Sequence, residues 1–470
     1  MKKIISTLAL ATLAFGSVFA DVTFTTNYRT RMAGFSRVMN RSGADANGSF
    51  SPAADAELHN SYLFAQRAYG NASDDFAIAV SSDIAGASVK MSPDLRKRGT
   101  EAPATGKDEV TDRVTGFGEY YGWVNLGAIK LTAGLVDGIN NGNYRLTGEV
   151  GHNLEGESAD AFGYLGSMHK YAISYKADDL SQFNGDKRPV GMITYKGEFG
   201  DTVLTADLVA AAIDSDGATN TWDGHKIHSA FGARLDFKIP AVDVQFVFKQ
   251  HANKVNAGTK KSDASNEATR SVALHVAPNL GENLNLVVGG AAGFYNGDLT
   301  EFNADVRFLF KSGNMSFTSL NNISYITNAA ATGYLKGKLD YDAHVGLCFV
   351  DSTGALKKEE SVASQSSMWN LIGFSMALSE KLTVFANVGD IIGFNAGCEK
   401  NGKHYNNGEI GDFGMELFAA PGVQFFATKN CSITTALRLG VSNLLRDTDT
   451  YKDIEPAYGI LVPVVMRVQL

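Results

Sequence analysis

Read for hydrophobic and polar positions, the chain is dominated by a period of two. In its last stretch Tyr458, Ile460, Val462, Val464, Met466, Val468 and Leu470 are apolar. They alternate with Gly459, Leu461, Pro463, Val465, Arg467 and Gln469. Alternate residues of a β-strand project to opposite faces, so this pattern predicts a strand with one greasy face and an Arg on the other. A tilted strand crosses a bilayer in about 9–11 residues, and this one is long enough. Near the start of the chain, Val22, Phe24, Thr26, Tyr28, Thr30 and Met32 alternate with Thr23, Thr25, Asn27, Arg29 and Arg31. Two such strands at opposite ends of the chain can pair with each other, and a sheet closed in this way has no exposed edge.

The same alternation recurs along the chain. Phe231, Ala233, Leu235 and Phe237 interleave with Arg234, Asp236 and Lys238, and after Pro240-Ala241 come Val242, Val244, Phe246 and Phe248 against Asp243, Gln245 and Lys249. Phe302 to Phe310 alternates with Asn303, Asp305 and Arg307. Leu339 to Phe349 alternates with Asp340, Asp342 and His344, and Ile433 to Val441 with Thr434 and Arg438. The hairpin from Glu119 to Asp137 turns at Gly127-Ala128, then runs through Ile129, Leu131, Ala133 and Leu135 against Lys130 and Thr132. Its aromatic cluster Tyr120, Tyr121 and Trp123 suits a membrane interface. Connections fall into two classes, tight turns and polar loops of about ten to thirty residues, an asymmetry expected of a transmembrane barrel. The predicted fold is all-β, a closed antiparallel barrel. At roughly 22–28 residues per strand with its connection, the chain gives about 18 strands, within about 16–20.

Composition agrees. Hydrophobic residues make up 44% and charged residues 20%, with 49 glycines against 9 prolines. Only alternate barrel residues meet lipid, which accounts for so moderate an apolar share. The N-terminus reads as a secretory signal: Lys2 and Lys3, an apolar run from Ile4 to Phe15, and the small-residue site Val18-Phe19-Ala20. Cleavage is expected after Ala20, leaving residues 21–470 as one barrel domain. No later segment approaches the roughly 18 continuous apolar residues of a membrane helix. The net charge of −8 argues against a nucleic-acid partner.

Nothing in the sequence points to catalysis, a cofactor or a metal. HExxH, P-loop and GxSxG patterns are absent. His225 and His228 lack a third ligand, and the calcium-like start Asp214-Ser-Asp216-Gly217 lacks its closing acid. Cys348, Cys398 and Cys431 are odd in number and unspaced for a metal.

The interior face carries the candidate function. With the apolar parity toward lipid, Arg29, Arg31, Lys130, Arg234, Lys249, Arg307, Arg438 and Arg467 form a basic inner wall, joined by Asp236, Asp305, Asp340 and Asp342. The opposite assignment would put Arg or Lys against acyl chains at up to about 2–4 kcal/mol each near the midplane. A barrel of about 18 strands is too wide for strand side chains alone to fill, so an aqueous lumen is expected, selecting by field and width. The long segment Gly138–Asp160 carries Glu149, Glu155, Glu157 and Asp160. Folded inward, these acids would oppose the basic wall and narrow the lumen; displayed outward, they would form an acidic surface loop.

The signal segment, the closing strand and Glu119-Tyr-Tyr-Gly-Trp-Val-Asn-Leu-Gly-Ala-Ile-Lys-Leu-Thr-Ala-Gly together resemble bacterial outer-membrane porins. In that family a hairpin of this type precedes the constriction loop. The resemblance implies an outer-membrane location, contact with outer-membrane lipid, passive passage of small hydrophilic solutes and ions, and commonly a homotrimer. Porin chains usually end in an aromatic residue; Leu470 departs from that and marks a divergent lineage, with loops somewhat similar to those of spirochaete outer-sheath proteins. Two other functions fit the same barrel: a substrate-specific transporter, disfavoured for lipids by the polar inner face, and an adhesin or antigen whose loops, such as Ser92–Gly116 and Gly393–Gly411, bind host surface ligands.

Overall fold

The computed structural model describes residues 21–41, 56–63, 75–92, 116–136, 180, 182–183, 186–187, 189–211, 230–252, 268–295, 298–326, 362–400, 403–405, 413–442 and 457–469. Among them, eighteen antiparallel staves form the wall of a nearly closed barrel. We number the staves in chain order. β1 is Asp21–Arg41; β2 consists of the collinear segments Ala56–Leu63 and Asp75–Ser81; β3 is Ala85–Ser92. β4 (Gly116–Leu126) and β5 (Ile129–Leu135) are the hairpin predicted above. β6 (Pro189–Phe199), β7 (Thr202–Ala211), β8 (Ala230–Ile239) and β9 (Val242–Ala252) follow. Next come β10 (Ala268–Pro278), β11 (Leu284–Tyr295), β12 (Asp298–Ser312) and β13 (Met315–Ile326). β14 (Val362–Ser379), β15 (Leu382–Lys400) and β16 (Phe413–Thr428) lead to β17, split into Cys431–Ala436 and Arg438–Ser442, and β18 (Ala457–Gln469).

Each stave pairs with its sequence neighbours, and β18 pairs with β1 from Asn27↔Gln469 to Met39↔Tyr458. The two chain ends therefore close the ring. It is unsealed at one place: the outer edge of Ala56–Leu63, which pairs with Ala33–Arg41 of β1, has no partner among the described residues. At one end of the barrel all connections are tight, two to five residues, as at 127–128, 200–201, 313–314 and 380–381. Gly127, Gly200 and Gly313 take positive φ there, at 70°, 61° and 57°, which a residue without Cβ adopts freely. At the other end connections are mostly long, up to 136–188, although β11 and β12 are joined by only residues 296–297.

The staves alternate as predicted. On β8, Phe231, Leu235 and Phe237 are exposed on the outer surface, whereas Asp236 between them is buried inside. Phe246, Phe302, Val306, Phe310, Phe317 and Phe374 continue the outer apolar belt. Val209, Val247, Ala273, Leu320, Ala420 and Val465 are buried on the inner side.

β13 pairs directly with β14, and the alternating stretch from Leu339 to Phe349, with Asp340 and Asp342, lies outside the described residues. Two expectations change. Residues 393–400, read as loop, continue β15, and Cys398–Lys400 pair with Lys403–Tyr405 in a small hairpin. The alternating run from Ile433 to Val441 is interrupted at Leu437. Its partner across the ladder, Pro421, accepts from Leu437 N at 2.9 Å but has no N–H to return a bond.

Candidate pore wall

The inner face of β6 to β9 holds a continuous polar network. Asp207 on β7 lies directly opposite Thr194 of β6 on one side and Arg234 of β8 on the other. Thr194 Oγ1 donates to Asp207 Oδ1 at 2.5 Å, and Arg234 Nη2 and Nε reach Asp207 Oδ2 at 2.7 and 2.9 Å. Arg234 Nε also lies 3.4 Å from Asp236 Oδ2, and Gln245 Nε2 of β9 donates to Asp236 Oδ1 at 2.7 Å. Two carboxylates thus bracket one guanidinium, with Asp207 only 1% exposed. Lys249, Ser271, His275 and Asp305 are buried on the same inner face further round the wall. Arg307 Nη2 donates to Asn285 Oδ1 at 3.3 Å. Basic residues here do not stand as a bare cationic wall. Asp207, Asp236 and Asp305 share this sector with Arg234, Lys249 and Arg307, so its charges balance.

A second inner patch lies on β3 to β5. Lys90 and Glu119, opposite each other in register, form an ion pair at 3.8 Å. Lys130 Nζ stands 4.7 Å from the centroid of the Trp123 ring, a cation–π contact. Trp123 faces Gly86 on one side and Thr132, 5% exposed, on the other. A Cβ at Gly86 would come within 2.6 Å of the indole, so glycine makes room for the ring. Of the aromatic cluster expected at the membrane interface, only Tyr120 is outward and exposed. Tyr121 and Trp123 share the inner parity with Glu119, because the alternation that sends Leu131 outward sends them in.

Arg29, Arg31, Arg438 and Arg467 are all in wall strands. In the β1–β18 ladder Arg29 is the register partner of Arg467, and Arg31 that of Val465, the buried inner residue. The side chains of Arg29, Arg31 and Arg438, the acids Glu149, Glu155, Glu157 and Asp160, residues 1–20, and His225 and His228 lie outside the described residues. Cys431 carries a free thiol.

Leu180, within the 136–188 connection, sits in the interior. Leu180 is fully buried, in a cluster with Val190, Val209, Ala211, Val247 and Ala273. All five come from the inner faces of β6, β7, β9 and β10, and a Cβ at Gly232 of β8 would run into Leu180 Cδ2. Small and apolar residues beside the charged network thus form a socket for a leucine entering from the β5–β6 connection. Asp207, Lys90, Glu119 and Leu180 are the site residues that the inner wall read from the sequence does not include. In Thr202–Ala211, Leu204 and Leu208 alternating with Thr205 and Asp207 is the signal that carries the first of them.

No family model matches the chain, and no curated protein matches it. Among solved structures it is similar to an anion-selective porin from Comamonas acidovorans, at 11% identity and TM-score 0.42, covering 96% of this chain and 100% of that one. It is also similar to the outer-membrane channel DcaP of Acinetobacter baumannii, at 11% identity and TM-score 0.35, covering 96% and 97%. A third is OpdL of Pseudomonas aeruginosa, at 9% identity and TM-score 0.44, covering 96% and 99%. At such identity no residue of those proteins can be carried over onto this one.

Proposed function

We propose that the protein is a divergent outer-membrane porin, a water-filled channel through which small hydrophilic solutes and ions diffuse passively. The observation that carries the reading is the opposition of the two barrel faces. Leu235, Phe237 and Phe246 fill outward positions of the β8–β9 hairpin, while Asp236, Arg234 and Gln245 of the same hairpin point inward. Apolar side chains outside suit acyl chains, and charged ones inside need water or partners.

The pairing of Asp207 and Asp236 with Arg234 favours weak ion selectivity, because a compensated wall projects little field into the lumen. Leu180 supports a lumen narrowed by the β5–β6 connection, which also contains Glu149, Glu155, Glu157 and Asp160. Export follows from the leader ending at Ala20. Liposome swelling with sugars of graded size tests the proposal. Entry that falls with solute size supports it, and vesicles that exclude even the smallest sugar refute it.

A further inference from the structure

One row of the inner wall contains a histidine that the ion pairs of that wall do not use. Asp236, Gln245, His275, Gly289 and Asp305 are consecutive register partners from β8 to β12, and all have the inner parity. Asp236, Gln245, His275 and Asp305 are buried. Gly289 puts no side chain between His275 and Asp305. Among the described side chains His275 is the one histidine.

The row is polarised toward that ring. Gln245 Nε2 donates to Asp236 Oδ1 at 2.7 Å, which fixes the carboxamide and leaves Oε1 as its accepting end. Oε1 is buried and accepts no hydrogen bond among the described residues. A buried acceptor left in this way costs free energy that a donor recovers. The next residue along the ladder is His275. A neutral imidazole donates from one ring nitrogen, an imidazolium from both. Gln245 stands on one side of His275 and Asp305 on the other, so the row has an acceptor for each N–H of the charged ring. Burial by itself disfavours that charge, and the two acceptors oppose the penalty.

The charges around the ring are matched. On its inner face β9 carries Asp243 and Lys249, and β8 beyond it carries Arg234, Asp236 and Lys238. On the other side β11 presents Val287, Gly289 and Ala291, which do not titrate, and β12 carries Asp305 and Arg307. Asp207, paired with Arg234, completes the balance. Carboxylates, lysine and arginine ordinarily hold their charge between about pH 5 and 8, and imidazole changes within that range. In a balanced wall one added positive charge is uncompensated, and it favours anions over cations in the adjoining lumen.

We propose that His275 makes the ion preference of the channel pH-dependent, turning it toward anions as the imidazole takes up a proton. The inference rests on the channel reading and names the residue that sets the preference of that lumen.

The test is the reversal potential of the full-length protein in planar bilayers, in a low-salt KCl gradient at two pH values, one on each side of the imidazole range. One unit charge roughly 7 Å from a passing ion changes its local concentration about threefold in water, so the anion-to-cation permeability ratio of the wild type should rise by about that factor at the acid pH. His275→Gln should hold the ratio near the alkaline value at both. His275→Lys, a fixed charge, should hold it near the acid value at both, and covers a glutamine variant that fails to fold. Heat-modifiable gel mobility shows the barrel retained. A wild-type ratio that does not change with pH, or a change that persists in folded His275→Gln, overturns the proposal. A protein that never conducts overturns the channel reading together with it, whereas a conducting one that ignores pH overturns this inference alone.

Discussion

Asp207 and Arg234 face each other across the β7–β8 ladder, joined through Asp207 Oδ2 at 2.7 Å, with the carboxylate almost wholly buried. Breaking one side of a buried pair leaves the other charge desolvated, which costs more than the pair contributes over neutral packing. Asp207→Ala is expected to destabilise the barrel by on the order of 3 kcal/mol. The double variant with Arg234→Ala should recover part of that loss. A double-mutant cycle from denaturant unfolding in detergent checks it, and strictly additive losses would contradict the pairing.

Leu180 should act as the anchor of the β5–β6 connection. Leu180→Ala removes a fully buried side chain, a change that costs about 2–5 kcal/mol in packed cores. Here the loss falls on the docking of the connection and not on the wall, whose ladders do not involve Leu180. Single-channel conductance should rise while thermal unfolding of the barrel stays near that of the wild type. Unchanged conductance would mean that the connection does not narrow the path.

Two glycines of the β4–β5 hairpin should behave differently. Gly127 has φ 70° and open space where a Cβ would go, so Gly127→Asn is expected to be nearly neutral, Asn being at home in such turns. Gly134 has φ 130°, and a Cβ there would meet Tyr120 O. Gly134→Ala should cost on the order of 3 kcal/mol or prevent refolding, because the backbone conformation and the clash oppose it together. Refolding yield into detergent compares the two.

The Lys90–Glu119 pair is the more exposed inner ion pair, at 26% and 17% side-chain exposure. Glu119→Gln removes the negative charge and makes that patch of the inner face more positive. Reversal potentials in a salt gradient should shift toward anions, and by less at high salt, where screening shortens the reach of a single charge. A shift toward cations would reverse the assignment.

Much of the wall was legible because a two-residue period carries a physical constraint: the outward set must tolerate lipid and the inward set need not. Phe231, Leu235 and Phe237 against Arg234 and Asp236 state that constraint within one strand, and the structure obeys it. The pairing of β1 with β18 was legible for the same reason, as both ends carry strands with matching faces. What the period does not give is register. That Asp207 lies opposite Arg234, or Arg29 opposite Arg467, depends on where each turn falls, and a two-residue shift preserves every face while changing every neighbour. Tyr121 and Trp123 show a second limit. Their chemistry suits a membrane interface, and only their parity with Glu119 and Thr132 sends them inside.

The first residues to become strand, from Asp21, must find partners among the last, up to Gln469. During synthesis and export β1 therefore waits with one edge unsatisfied until the rest of the protein has arrived. Among the described residues the pairing most distant in sequence is also the one that finishes the wall. Folding should accordingly be slow and vulnerable to association between incomplete chains, and a truncation of a few C-terminal residues should harm assembly far more than one of equal length in a long connection.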